Sequence, residues 1–126
     1  MDRSGFTALI GRLADAWNAG DAEGAAACFT ATVAYADPTR YAFSGRESLL
    51  PFFDPGPDGH HIDVHRVLFD EHEQTGVVEY TYAGEHRYHG AAIAAIGGDG
   101  LISTWREWQH IDDARDWAEF IAGRPG

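Results

Sequence analysis

The chain has 126 residues, 44% of them hydrophobic, which is enough for one compact domain with its own core. Nine basic against twenty acidic residues give a formal net charge of −11, which would repel nucleic acids and anionic membrane surfaces. No apolar run approaches the roughly 20 residues that cross a bilayer, and the N-terminus begins an amphipathic segment rather than a signal peptide. We therefore expect a single cytoplasmic domain over residues 1–126, with neither nucleic acid nor membrane as a partner.

The first predicted element is an amphipathic helix. Apolar residues recur at helical spacing from position 6 to position 17, and they form one face that must pack on the rest of the domain. Residues 18–21 (Asn-Ala-Gly-Asp) predict a reversal, because the glycine can take the left-handed conformation that ends a helix and the aspartate can cap the next one. The second helix is expected to be short and alanine-rich, over residues 22–29.

After the second helix the apolar period changes from 3.6 residues to two. Val33, Tyr35 and Asp37 alternate in this way, so their side chains share one face of an extended strand. If Val33 and Tyr35 face the core, Asp37 does too. A carboxylate directed inward among aromatic side chains is the main functional signal of this segment.

An irregular loop over residues 39–43 is predicted next, followed by a third helix. Ser44-Gly45-Arg46-Glu47 has the pattern of a capping box for that helix. Pro51 lies among the apolar residues that follow, so we expect the helix to be short or broken. Proline and glycine mark residues 54–59 as a loop.

The second half of the chain predicts strands joined by turns. They cover residues 61–69, 77–82, 88–96 and 101–111. Helical spacing at residues 117–121 predicts a short C-terminal helix. Three helices, one strand and a four-stranded meander together predict an α+β fold, in which helices cover one side of a curved, largely antiparallel sheet.

The order of these elements resembles the nuclear transport factor 2 superfamily and, within it, the SnoaL-like domain proteins. The phrases that carry the resemblance are AWNAGDAEGAAACFTATVAYADP, FSGRESLLPFF, VEYTYAG, RYHGAAIAAI and DGLISTWREW. It implies a cone-shaped α+β barrel, in which the sheet and three N-terminal helices enclose a deep pocket, commonly as a homodimer through the outer sheet face. The superfamily includes ketosteroid isomerases, polyketide cyclases, dehydratases and epoxide hydrolases, beside members without known catalysis, so the fold alone does not select a function.

Within this resemblance Asp37 is the best candidate for a catalytic residue. Ala36-Asp37-Pro38 is similar to the segment that carries the general-base aspartate of ketosteroid isomerases. Where that family has its two oxyanion donors, this chain has Leu13 and either Ala92 or Ile93. A steroid isomerase mechanism of that form therefore lacks the two groups that would stabilise the oxyanion.

Alternation along the last strand supplies a second carboxyl group. Trp105, Glu107 and Gln109 share one face, which the resemblance turns toward the pocket, opposite Asp37. Burial and mutual repulsion would raise the pKa of one of the two carboxyl groups and suit it to acid or base chemistry. The structural alternative is that Glu107 hydrogen-bonds a tryptophan or tyrosine and holds the barrel together.

Further ligand-binding residues follow from strand alternation and the resemblance. Tyr80 and Tyr82 share a face that is expected to be the inner one. There they either bind a ligand carbonyl or pack as aromatic side chains whose hydroxyls hydrogen-bond neighbouring groups. Tyr88 and His89 point to opposite faces, and the sequence leaves open which one faces inward. The full candidate set is Trp17, Tyr35, Tyr80, Tyr82, Tyr88, His89, Trp105 and Gln109, which suits a flat or apolar molecule.

Neither a metal nor a cofactor is expected. His60, His61 and His65 are split between strand faces, and the chain has no phosphate loop, dinucleotide fingerprint or nucleophile elbow. One hypothesis is a cofactor-independent enzyme that isomerises, cyclises or dehydrates a small, largely apolar molecule, with Asp37 as base and Glu107 as partner acid. The other is a non-catalytic ligand-binding or dimerisation module. A homodimer is expected through the outer sheet face, which would present residues such as Trp108.

Overall fold

The computed structural model describes residues 1–57 and 59–115. The helices are α1 (Arg3–Asn18), α2 (Ala22–Ala26), a 3₁₀ helix (Arg46–Leu49) and α3 (Leu50–Phe53). The strands are β1 (Phe29–Asp37), β2 (Tyr41–Ser44), β3 (His61–Asp70), β4 (Thr75–Ala83), β5 (Arg87–Ile96) and β6 (Ile102–Ile111). The helix predicted at residues 117–121 lies outside the described residues.

The described strands form one curved sheet in the order β2-β1-β6-β5-β4-β3. β1 and β6 run parallel, and the other neighbouring strands are antiparallel. Within the described part of the chain the sheet does not close into a complete barrel, because β2 and β3 remain as edges. The α+β fold class predicted from the sequence is confirmed, with helices covering the concave side of a mostly antiparallel sheet.

Helix α1 packs its apolar face on the sheet. The side chain of Asp2 caps its first turn by accepting a hydrogen bond from the backbone N–H of Gly5. The ring of Phe6 stacks on Phe69 of β3 with centroids 4.7 Å apart. At the other end of the helix, Gly20 has a φ of +70°, as the predicted reversal requires.

The inner faces of β1 and β6 follow the predicted alternation. Val33, Tyr35 and Asp37 are all buried, so the carboxylate does point inward. On β6, Trp105 and Glu107 are buried while Arg106 and Trp108 are exposed. The parallel pairing of β1 with β6 places these two faces side by side.

The prediction was wrong for residues 39–43. Residues 41–43 belong to strand β2, which follows a tight turn after Asp37 and pairs antiparallel with β1. The predicted capping box is also wrong, because Ser44 ends β2 and the 3₁₀ helix that follows has no side-chain cap. Helix α2 ends at Ala26, since Phe29 already begins β1. Pro51 lies in the first turn of α3, which is only four residues long, as expected.

In the described part of the chain, no helix combines the length and apolar character needed to cross a membrane.

Candidate functional site

A pocket lies between the helices and the inner face of the sheet. Its volume is about 180 Å³. An apolar cavity of about 150 Å³ is known to hold benzene, so this space fits one ring with small substituents. The described residues that line it are Trp17, Arg40, Tyr41, Phe52, Tyr80, Tyr82, Tyr88, Glu107 and Gln109. Six of these nine side chains are aromatic, which favours a flat and largely apolar ligand.

Glu107 of β6 is the carboxyl group of the pocket wall, and it is only 3% exposed. The hydroxyl of Tyr41 donates a hydrogen bond to its Oε1. Its Oε2 accepts hydrogen bonds from the Tyr80 hydroxyl at 2.7 Å and from the indole Nε1 of Trp105 at 3.0 Å. Burial raises the pKa of Glu107, and these hydrogen bonds oppose the shift without cancelling it. Glu107 therefore holds its proton to higher pH than an exposed glutamate does.

The two tyrosines beside Glu107 stay protonated. Burial raises the pKa of both Tyr41 and Tyr80, and the negative charge of Glu107 raises it further. Their hydroxyls are therefore hydrogen-bond donors at any physiological pH. Tyr41 was missed as a candidate because the sequence placed it in an irregular loop, whereas the register of β2 sets it opposite Asp37.

Asp37 ends strand β1 and is 2% exposed, yet it is not among the described residues that line the pocket. Its Oδ1 accepts hydrogen bonds from the backbone N–H and the hydroxyl of Thr39, at 3.2 and 3.0 Å. Its Oδ2 accepts one from Gln109 Nε2 at 3.4 Å and lies 3.9 Å from Arg40 Nε. Both Gln109 and Arg40 line the pocket, so Asp37 supports the wall from behind.

A hydrogen-bond chain joins the two carboxyl groups. Gln109 Nε2 also donates to the Tyr41 hydroxyl at 3.1 Å, and that hydroxyl donates to Glu107. Asp37 and Glu107 are thus connected through one amide and one phenol. The two groups were predicted to face each other across the pocket, whereas in the structure only Glu107 of the two lines the cavity.

A model of the SnoaL-like domain family matches residues 10–113. The chain belongs to the SnoaL-like domain family. No protein of curated function matches it at a significant level.

Solved structures similar to this SnoaL-like domain have different described activities. A candidate ketosteroid isomerase from Kribbella flavida is 25% identical with a TM-score of 0.73, over 99% of this chain and 86% of that one. A candidate polyketide cyclase from Xanthomonas campestris is 19% identical with a TM-score of 0.69, over 95% and 96% of the two chains. SalBIII, an epoxide hydrolase/cyclase-like enzyme of pyran ring formation in salinomycin, is 15% identical with a TM-score of 0.76, over 89% and 95%. These similarities establish the fold and leave the chemistry to be argued from the site.

Among the predicted ligand-binding residues, those that line the pocket of this SnoaL-like domain are Trp17, Tyr80, Tyr82, Tyr88 and Gln109. Tyr35 and Trp105 lie behind the wall, where their rings stack at 5.8 Å with an interplanar angle of 6°. Trp17 is fixed by His60, which accepts a hydrogen bond from its indole at 3.1 Å and contacts its carbonyl oxygen at 2.8 Å. Arg40, Tyr41 and Phe52 also line the pocket and were not predicted from the sequence.

The structure shows which of Tyr88 and His89 on β5 faces inward. Tyr88 lines the pocket opposite Tyr82, whereas His89 lies on the other face of the sheet. There the ring of His89 is 6.4 Å from His65, and its Nε2 is 3.8 Å from Glu79 Oε2. The expectation that His89 contacts a ligand in the pocket is therefore not supported by its position.

Proposed function

We propose that this SnoaL-like domain binds a small, largely apolar organic molecule in its pocket and exchanges a proton with it through Glu107. The observation that carries the proposal is a buried carboxyl group that lines an aromatic cavity and accepts hydrogen bonds from two protonated tyrosines. Perturbed carboxyl groups in clefts are typical of acid and base catalysts. Isomerisation, aldol-type cyclisation and dehydration all require such a proton transfer, and none of them requires a cofactor in this form.

The site offers both a proton acceptor and donors for the charge that develops. In its ionised form Glu107 takes a proton from the carbon beside a ligand carbonyl, which leaves an enolate and a neutral carboxylic acid. A neutral carboxyl is a weaker acceptor than a carboxylate, so the hydroxyl of Tyr41 or Tyr80 can turn toward the enolate oxygen. Return of the proton to another carbon of the ligand completes an isomerisation and restores the ionised Glu107.

Asp37 is proposed to position the wall rather than to contact the ligand. It is not among the described residues that line the pocket, whereas Gln109 and Arg40, which it contacts, do line it. The prediction from the sequence that Asp37 is the base stays open to experiment, and the geometry favours Glu107 in that role.

The experiment uses single-ring ketones that fit the cavity: cyclohexanone, 2-cyclohexenone and 3-cyclohexenone. Binding is followed by tryptophan fluorescence, to which Trp17 of the pocket wall contributes. Proton transfer is followed by the exchange of ketone hydrogens for deuterium in heavy water. We expect the protein to accelerate exchange and the Glu107→Gln variant to lose roughly a hundredfold or more of it. Glu73→Gln, an exposed change of the same chemistry in the turn after β3, is the control and should retain it.

Two results would contradict the proposed proton transfer. One is full exchange activity in Glu107→Gln. The other is a bound ketone that exchanges no faster than in buffer, which would instead favour the non-catalytic binding module. Failure of all three ketones to bind at millimolar concentration would contradict the pocket's role altogether.

We also propose that the domain forms a homodimer through the outer face of its sheet. Trp108 is 47% exposed there, with the Arg106 guanidinium carbon 5.8 Å from its ring centroid. Leu68 and Val77, paired across β3 and β4, are also exposed large apolar side chains. A second copy of this face would cover them.

A further inference from the structure

Arg40 is a basic side chain in the wall of an otherwise neutral or acidic pocket. It lies in the turn between β1 and β2, and it is the one cation among the described lining residues. Its guanidinium carbon is 5.2 Å from the ring centroid of Tyr88, and its Nε is 3.9 Å from Asp37 Oδ2. The aromatic face and the carboxylate together hold the guanidinium at the pocket.

The contact with Asp37 leaves Arg40 able to bind a further anion. A distance of 3.9 Å is longer than a hydrogen bond, and both Asp37 oxygens already accept hydrogen bonds from other donors. Within the described part of the chain, the ion pair of Arg40 runs through Nε rather than through its two terminal guanidinium nitrogens. That pair of nitrogens is the edge by which arginine binds a carboxylate in a bidentate manner.

The rest of the wall is compatible with an anionic ligand. The chain carries a net charge of −11, so a general attraction for anions is absent and selectivity must come from a local cation. Glu107, the carboxyl group among the described lining residues, accepts hydrogen bonds from Tyr41 and Tyr80, and burial lets it hold its proton to higher pH than an exposed glutamate, which reduces repulsion.

We infer that the natural ligand is a carboxylic acid about the size of one substituted ring, whose carboxylate pairs with Arg40 while its apolar body lies among the aromatic side chains. This inference rests on the pocket of the proposed function and adds the charge and size of the ligand. It does not depend on proton transfer by Glu107, since binding alone reports on the carboxylate.

Benzoate and benzamide test the inference, because they have nearly the same shape and differ in charge. Their dissociation constants are measured at neutral pH and low salt by tryptophan fluorescence and by protein chemical shifts. We expect the protein to prefer benzoate by roughly ten- to a hundredfold, the range that a charge-assisted hydrogen bond supplies. Arg40→Gln should lose this preference and should still bind benzamide, which shows that the variant is folded.

Arg12→Gln is the matched control, because it removes the same charge from an exposed position on α1. It should keep the preference for benzoate. Equal affinity for the two probes in the unmodified protein, absence of benzoate binding at millimolar concentration, or a preference that survives in Arg40→Gln would each overturn the inference. Glu107→Gln separates the two proposals, because it should lose ketone exchange and still prefer benzoate.

Discussion

Replacing Glu107 by glutamine should change how the stability of the protein depends on pH. Burial raises the pKa of this carboxyl above the ordinary value of 4.5 that it takes in the unfolded chain. At a pH between the unfolded and the folded pKa of Glu107, the folded protein binds more protons than the unfolded chain. The free energy of unfolding therefore falls as pH rises. The slope reaches about 1.4 kcal/mol per pH unit. This stabilisation is fully present below the unfolded pKa and is lost as pH rises through the folded pKa.

The hydrogen bonds at Glu107 limit the width of this pH window. Donors from Tyr41, Tyr80 and Trp105 stabilise the ionised form and so hold the folded pKa down against burial. Removing one donor with Tyr80→Phe should raise the pKa of Glu107 further and extend the window upward. At a pH where Glu107 is ionised, that variant should also lose about 1.5–3 kcal/mol, the worth of a hydrogen bond to a charged group.

The assay is urea unfolding of the unmodified protein and of Glu107→Gln from roughly pH 4 to pH 8. Glutamine does not titrate, so the difference in unfolding free energy between the two proteins isolates the contribution of this carboxyl group. Glu73→Gln, the same substitution at an exposed position in the turn after β3, is the control variant. A difference that is flat with pH, or one in which the unmodified protein gains on the variant as pH rises, would refute the reasoning.

Three further variants test other parts of the molecule. Asp37→Asn should raise KM for a ketone about tenfold and change kcat little if Asp37 positions the wall, whereas loss of kcat at constant KM would identify it as the base. Gly90→Ala should lower stability by about 1–3 kcal/mol in thermal melts, because its Cβ would lie 2.9 Å from the Tyr80 hydroxyl. Gly98→Ala, whose Cβ would meet nothing within 4 Å, is its control. Equal stability of the two variants would count against close packing between Gly90 and Tyr80. Trp108→Glu should be a monomer in sedimentation velocity at micromolar concentration, and a monomeric unmodified protein would contradict the dimer.

Local periodicity predicted the faces of the strands that build the site. The alternation of Val33, Tyr35 and Asp37 required all three to share one face, and the structure buries all three. The same rule predicted that Glu107 and Trp108 lie on opposite faces of β6, and in the structure Glu107 is buried and Trp108 exposed. These predictions depend on the pleat of a single strand, which the sequence specifies directly, and the order of elements was sufficient to indicate the fold.

Features that depend on the pairing between strands were not predictable in this way. Strand β2 is only four residues long, and its apolar residues gave no clear period before the tight turn was known. Tyr41 therefore remained in a predicted loop, and its hydrogen bond to Glu107 joins residues 66 positions apart. The register of β5 against β4, rather than any local pattern, determined that Tyr88 and not His89 faces the pocket.

Proton transfer by Glu107 is tested most directly by comparing two pH profiles of the unmodified protein. The first is the titration of the Glu107 carboxyl carbon by carbon-13 NMR, and the second is the rate of ketone hydrogen exchange. If Glu107 is the exchanging group, both profiles should have the same midpoint, raised above the ordinary glutamate value of 4.5, and Glu107→Gln should lose the second. A rate profile with a different midpoint, retained in Glu107→Gln, would contradict the assignment.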